Sequence, residues 1–137
     1  MTDIVCATDL VKRSRNVAVL DGLNLTVPEG SVFGLAGPHG AGKTTTIKIS
    51  MNILQPTAGR AEMPGIDSRA LGPEALASIG YASENQELPE WMTVEYLLAY
   101  LKPFYPAWDD ARARQLVRQF DLPLGRQLRH LSRGICG

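Results

Sequence analysis

Residues Gly37-Pro38-His39-Gly40-Ala41-Gly42-Lys43-Thr44 spell G-x-x-x-x-G-K-S/T, and the apolar run Val32-Phe33-Gly34-Leu35-Ala36 before them reads as a buried strand. A glycine-rich turn between a strand and a helix is the sequence form of a phosphate cradle, the P-loop. Glycine lacks a Cβ, so the chain can bend until successive backbone N–H groups aim at one anion. Lys43 adds a point charge that can reach β- and γ-phosphates. The Thr44 hydroxyl is a neutral oxygen ligand suited to Mg²⁺, a hard cation shared with substrate phosphates. A helix beginning near Gly42 would direct its positive end at the same phosphates. Nucleotide binding is therefore the leading expectation.

Working outward, Ile4-Val5-Cys6-Ala7, Val17-Ala18-Val19-Leu20 and Leu23-Asn24-Leu25-Thr26-Val27 read as strands of a half-buried sheet. Pro28-Glu29-Gly30 turns the chain into the loop's strand. The spacing predicts a helix from about residue 43 to 54 that buries Ile47, Met51 and Leu54 and stops before Pro56. Beyond Gly59 the signals weaken. Ala61-Glu62-Met63 reads as a short strand, residues 75–78 as a short helix, Ile79-Gly80-Tyr81-Ala82 as a buried strand, and residues 83–89 as a polar loop. Thr93 is the expected N-cap of a further helix, with Glu95 in its first turn and Met92 stapling onto Leu97; it ends near Pro103. A last helix is capped by Asp109, carries Ala113, Leu116, Val117 and Phe120 on one face, and closes at Leu122-Pro123.

The chain has 137 residues, 45% of them apolar, which is one domain or part of one with enough material for a core. Fourteen basic and fourteen acidic side chains cancel, so no global field favours a nucleic-acid partner. Six basic residues after Asp110 face one acid, Asp121, and read as a solvated helix face. Cys6 and Cys136 stand near opposite ends without histidines at metal-ligand spacing, so neither a zinc site nor a disulfide framework is indicated. Reduced thiols in a cytosolic protein are expected. Asp3 and Asp9 replace a basic leader, and no apolar run approaches 18 residues, which argues against secretion or membrane spanning.

The β-rich opening, the P-loop, the polar loop after Ile79-Gly80-Tyr81, the helical segment and Leu131-Ser132-Arg133-Gly134 together resemble the ATP-binding cassette (ABC) transporter ATPases, in particular exporter and ABC-2 type subunits. The resemblance covers essentially the whole chain. It implies an α/β P-loop NTPase fold with a mostly parallel core sheet, an N-terminal antiparallel β subdomain and a helical subdomain, incomplete at its C-terminus. Residues 1–137 would form the N-terminal part of one ATP-binding domain, with β subdomain and P-loop core over 1–83, Q-loop and helical subdomain over 84–131, and the start of the signature motif over 131–137.

Residue by residue, the resemblance implies that Gly37, Pro38, His39, Gly40, Ala41, Gly42, Lys43, Thr44 and Thr45 form the Walker A loop around ATP and Mg²⁺. His39 stands where the family usually has Asn. Glu84 replaces the family's Q-loop glutamine and is the expected sensor of Mg²⁺ and the attacking water, with Gln86 as the alternative; Thr44 and Glu84 are the implied metal ligands. Ser132 and Gly134 would bind the γ-phosphate held by the opposite subunit of a dimer. The aromatic residue that stacks on adenine in the family falls near Ser14, where Lys12-Arg13-Ser14-Arg15 has none, so adenine would lean on aliphatic side chains such as Val19 or on a guanidinium, with weak base discrimination. The family's Walker B acid, catalytic glutamate and switch histidine lie beyond Gly137, and His130 precedes the signature. The expected function is an ATP-binding subunit, or a fragment of one, that powers an integral membrane partner, lies at the cytoplasmic face of the membrane and dimerises with a second ATP-binding domain. Without the later groups it is not expected to hydrolyse ATP alone. A truncated, non-hydrolysing nucleotide-binding module and a soluble non-transport ABC ATPase are the alternatives.

Overall fold

The computed structural model describes residues 2–38, 40–83 and 87–131. It divides into two units, residues 1–76 and 77–137. In the first, β1 (Asp3–Ser14) and β2 (Val17–Pro28) form a long antiparallel hairpin, and β3 (Ala58–Glu62) pairs with the other edge of β1, giving the order β2-β1-β3. The separate strands expected at residues 4–7 and 17–27 are thus parts of two longer ones. Continuity of β1 depends on Asp9, which adopts φ 46° at an irregularity in the ladder. Its backbone N–H donates to Asn24 Oδ1 at 3.0 Å, and Asn24 Nδ2 donates back to Asp9 Oδ1 at 3.1 Å. Gly59 lies directly over this kink: a Cβ there would stand 2.2 Å from the Asp9 carbonyl oxygen.

Helix α1 (Lys43–Ser50) lies against this sheet. Ile49 is fully buried with Leu10, Ala7, Leu20 and Ala61, and Leu23, Leu25 and Leu54 pack around them. The inner face of α1 is therefore Thr46, Ile49 and Ser50, whereas Ile47 is 42% exposed and Met51 and Leu54 are half-buried after the helix has ended. Two hydroxyls explain the difference. Thr46 Oγ1 donates to the Gly42 carbonyl at 2.8 Å and Ser50 Oγ to the Thr46 carbonyl at 2.9 Å, so both can be buried without a stranded polar group.

Residues 32–36, expected as a buried strand, join no ladder among the described residues, and Val32 is fully exposed. An apolar run becomes a strand only by pairing, and none of β1–β3 pairs with it. The sheet that is described is antiparallel throughout. A one-turn helix, α2 (Pro73–Leu76), starts and ends two residues earlier than the 75–78 helix expected there, and residues 79–82 lie outside any strand.

The second unit is helical. Its α3 (Val94–Leu101) is capped by Thr93, whose hydroxyl accepts from the Tyr96 N–H at 3.1 Å, and a 3-10 turn over Lys102–Phe104 follows. Met92, Val94 and Leu128 form a core, with Leu88, Leu97, Leu98, Leu122 and Leu131 packed on it, so Met92 and Leu97, the pair expected to staple, belong to one cluster. Helix α4 (Asp110–Gln119) is capped by Asp109, which accepts from the Arg112 N–H at 3.0 Å. Ala113, Leu116 and Val117 are half-buried as expected, but Phe120 is 62% exposed because α4 has ended before it. No helix among the described residues is long and apolar enough to cross a membrane.

Candidate functional site

Gly42 is the pivot of the 37–44 loop. It is the N-cap of α1 in the left-handed region, φ 89°, and it packs directly on β2: a Cβ at this position would stand 2.6 Å from Leu20 Cδ2 and 2.9 Å from the Val19 carbonyl oxygen. A residue with a side chain is excluded by both conformation and space. Gly40 is also left-handed, at φ 85°, but has open space around it. The Ala41 N–H donates to the Pro38 carbonyl at 3.1 Å and closes the turn.

What the loop leaves open matters most. Gly42 offers no side-chain cap, and the N–H groups of Lys43, Thr44 and Thr45 find no acceptor among the described residues; the first internal bond of the helix is Thr46 N–H to the Gly42 carbonyl at 2.9 Å. Helix α3 is the contrast. There Thr93 covers the Tyr96 N–H, while the carbonyls of Arg126 and Leu124 accept from the Val94 and Glu95 N–H groups at 3.3 and 3.0 Å. The protein closes one helix start with its own groups and leaves the other facing outward with three donors, the arrangement that attracts an anion.

Lys43 is half-buried and arches over the loop, its ammonium donating to the Gly37 carbonyl. The hydroxyls of Thr44 and Thr45 have no partner among the described residues, in contrast to that of Thr46. Thr44 is exposed and so is chemically suited to ligate a hard cation beside a phosphate.

Gly37, Pro38, Gly40, Ala41, Gly42, Lys43, Thr44 and Thr45 are thus brought together in one turn. His39, Glu84, Gln86, Ser132 and Gly134 lie outside the described residues, as does Cys136. Cys6 is a free, half-buried thiol, and no cluster of metal-binding side chains occurs among the described residues. The sequence reading did not anticipate Leu20 as the residue that pins Gly42; only the preference for glycine at position 42 hinted at a close neighbour.

A family model described as "ABC transporter" matches residues 20–136. The chain is 35% identical over 115 residues to "Probable multidrug ABC transporter ATP-binding protein YbhF" of Escherichia coli, a match covering 84% of this chain and 20% of that protein. It is 36% identical over 121 residues to "Daunorubicin resistance ATP-binding protein DrrA2" of Streptomyces coeruleorubidus, covering 86% and 38%. A solved "Structure of ATP binding subunit of ABC transporter" superposes with a TM-score of 0.83 at 26% identity, over 96% of this chain and 57% of that one. The chain therefore spans between a fifth and three fifths of the length of these relatives. With residues 20–136 inside the family match, this chain belongs to the ABC transporter family.

Proposed function

We propose that this chain is an ATP-binding subunit of an ABC transporter, or the N-terminal portion of one, and that the 37–45 turn holds the triphosphate of Mg-ATP. The observation that carries this reading is the open start of α1: three N–H donors with no acceptor among the described residues, a position that only glycine can occupy, and the Lys43 ammonium bonded to the Gly37 carbonyl of the same turn. A bound phosphate would accept from the N–H groups of Lys43, Thr44 and Thr45 and would draw the ammonium away from the Gly37 carbonyl. The helix start supplies fixed partial positive charge, so little reorganisation accompanies binding.

The donor set fits Mg²⁺ beside the phosphates, with the Thr44 hydroxyl as a protein ligand and Glu84 or Gln86 as the second candidate. The ion would neutralise phosphate charge. The names of the relatives support a membrane transporter as the partner, which would keep the chain at the cytoplasmic face of the membrane. In this reading Ser132 and Gly134 belong to the surface that meets the nucleotide of a second ATP-binding domain.

Titration of the chain with a fluorescent ATP analogue and Mg²⁺ tests the proposal. Lys43→Ala removes a charge-assisted contact worth about 1.5–3 kcal/mol and should weaken binding by roughly 10- to 100-fold with an unchanged circular dichroism spectrum. Unchanged affinity in the variant would reject the role assigned to the loop.

A further inference from the structure

Val32-Phe33-Gly34-Leu35-Ala36 is apolar, exposed and unpaired. Val32 is fully exposed, Phe33 45% and Leu35 37%, and no backbone N–H or C=O of the five has a hydrogen-bond partner among the described residues. The backbone does not obstruct pairing. No residue from 31 to 37 takes a positive φ, and a Cβ at Gly34 would meet nothing within 4 Å, so a second strand can approach closely.

The edges of the β2-β1-β3 sheet are guarded, and the contrast is instructive. β2 carries Asp21 and Pro28, and β3 carries Arg60 and Glu62, residue types that oppose the addition of a further strand. From Gly30 to Gly42 the sequence has no Asp, Glu, Lys or Arg, and residues 32–36 have no proline. Such a window is a template for strand pairing.

Its pattern favours a copy of itself. Without charges it offers a foreign strand nothing to complement, while two copies meet without like-charge repulsion. The run is also symmetric in size about Gly34. In an antiparallel pair with the two glycines facing each other on a two-fold axis, Val32 lies opposite Ala36 and Phe33 opposite Leu35, each pair occurring twice. Alternation then gathers Phe33 and Leu35 of both copies on one face and Val32, Gly34 and Ala36 on the other. We infer that residues 32–36 are a self-association element through which two copies of this chain pair as antiparallel strands. The contact needs no nucleotide, which separates it from the nucleotide-bridged surface assigned above to Ser132 and Gly134.

Sedimentation velocity of the full chain, without nucleotide or Mg²⁺, tests the inference. Five paired residues bury less than the roughly 1,200 Å² of a standard interface, so the chain should be monomeric near about 1 μM and dimeric near about 500 μM. At the higher concentration the amides of residues 32–36 should gain about tenfold or more protection from hydrogen exchange. Phe33→Lys and Leu35→Glu alter exposed side chains, so each should keep the circular dichroism spectrum and each alone should weaken association by about tenfold or more. Mixed in equal amounts, the two variants bring opposite charges across the pair and should recover association to within about tenfold of the unaltered chain, whereas Phe33→Lys mixed with Phe33→Glu should not. A chain that stays monomeric at every concentration overturns the inference, as does a dimer that survives Phe33→Lys. A mixture of Phe33→Lys and Leu35→Glu that remains monomeric overturns it too, and so does protection of residues 32–36 in the monomer, which would show them covered by their own chain.

Discussion

Gly42→Ala separates packing from motif membership. In the left-handed conformation at φ 89° an alanine costs about 1–2 kcal/mol relative to glycine. Its Cβ would also meet Leu20 Cδ2 at 2.6 Å and the Val19 carbonyl oxygen at 2.9 Å. Leu20 is 6% exposed and held by Leu10 and Ile49, so it cannot swing aside freely, and the second obstacle is backbone. Overpacking of this kind costs about 1–3 kcal/mol, for a combined loss of about 2–5 kcal/mol in a domain whose whole stability is on the order of 5–15 kcal/mol. Gly40→Ala is the control: it is left-handed at φ 85° but meets nothing within 4 Å, so only the conformational part, about 1–2 kcal/mol, applies. Urea unfolding followed by far-UV circular dichroism measures both, with equal slopes showing that the unfolded states are comparable. If the two variants unfolded within about 0.5 kcal/mol of each other, the close approach of Gly42 to β2 would have no energetic content, because overpacking alone is set at about 1–3 kcal/mol.

The other predictions concern the elements that hold this site in place and the helical unit. Ile49→Ala should cost about 2–5 kcal/mol and Ile47→Ala less than about 1 kcal/mol, since only the first is buried; equal losses in denaturant titration would restore the face expected from the sequence. Thr93→Ala removes the side-chain cap of α3 and should lower stability by about 0.5–2 kcal/mol, with the Tyr96 amide losing hydrogen-exchange protection first; uniform protection across α3 would count against the cap. Asp67 is held at a pKa of about 2, from 3.8, chiefly by the hydrogen bond from the Arg69 side chain and then by that from its backbone N–H. A depressed carboxylate pKa contributes stability above the unfolded value that is lost as pH falls from about 3.8 toward 2. NMR titration should therefore find the Asp67 midpoint near the lower value, and Asp67→Asn should flatten the acid limb of stability; a midpoint near 4 would contradict the Arg69 contact.

The parts of this fold that were legible in the sequence are those with short-range causes. Thr93 and Asp109 cap the helices they were expected to cap, because an N-cap needs only a hydroxyl or carboxylate and an N–H three residues on. The glycine-rich turn forms where its spacing put it. Errors arose where the cause is distant in the chain. The apolar pattern of residues 32–36 and 79–82 says that these residues are suited to a strand, but a strand exists only by pairing, and the sheet described uses β1, β2 and β3. The single long β1 depends on Asp9 taking a positive φ, and the bonds that permit it come from Asn24, fifteen residues away.

Helix α1 shows how the same limit bears on function. Counting apolar residues selected Ile47, Met51 and Leu54 as the inner face, yet Thr46 and Ser50 return their hydroxyls to carbonyls one turn back and so enter the core as freely as a methyl group. At the start of the same helix Gly42 rests on Leu20. With glycine as N-cap, α1 has no side chain to cover its own donors, whereas Thr93 and Asp109 cover one donor each at the starts of α3 and α4. An uncapped helix start would ordinarily be a weakness, since it forfeits about 1 kcal/mol that a serine or aspartate would supply. Here a serine or aspartate cannot occupy the position, because the steric contact that anchors the loop to β2 requires the absence of a side chain. Anchoring and openness are therefore one constraint: the residue that fixes the turn against the sheet is also the residue that leaves the N–H groups of Lys43, Thr44 and Thr45 without an acceptor among the described residues.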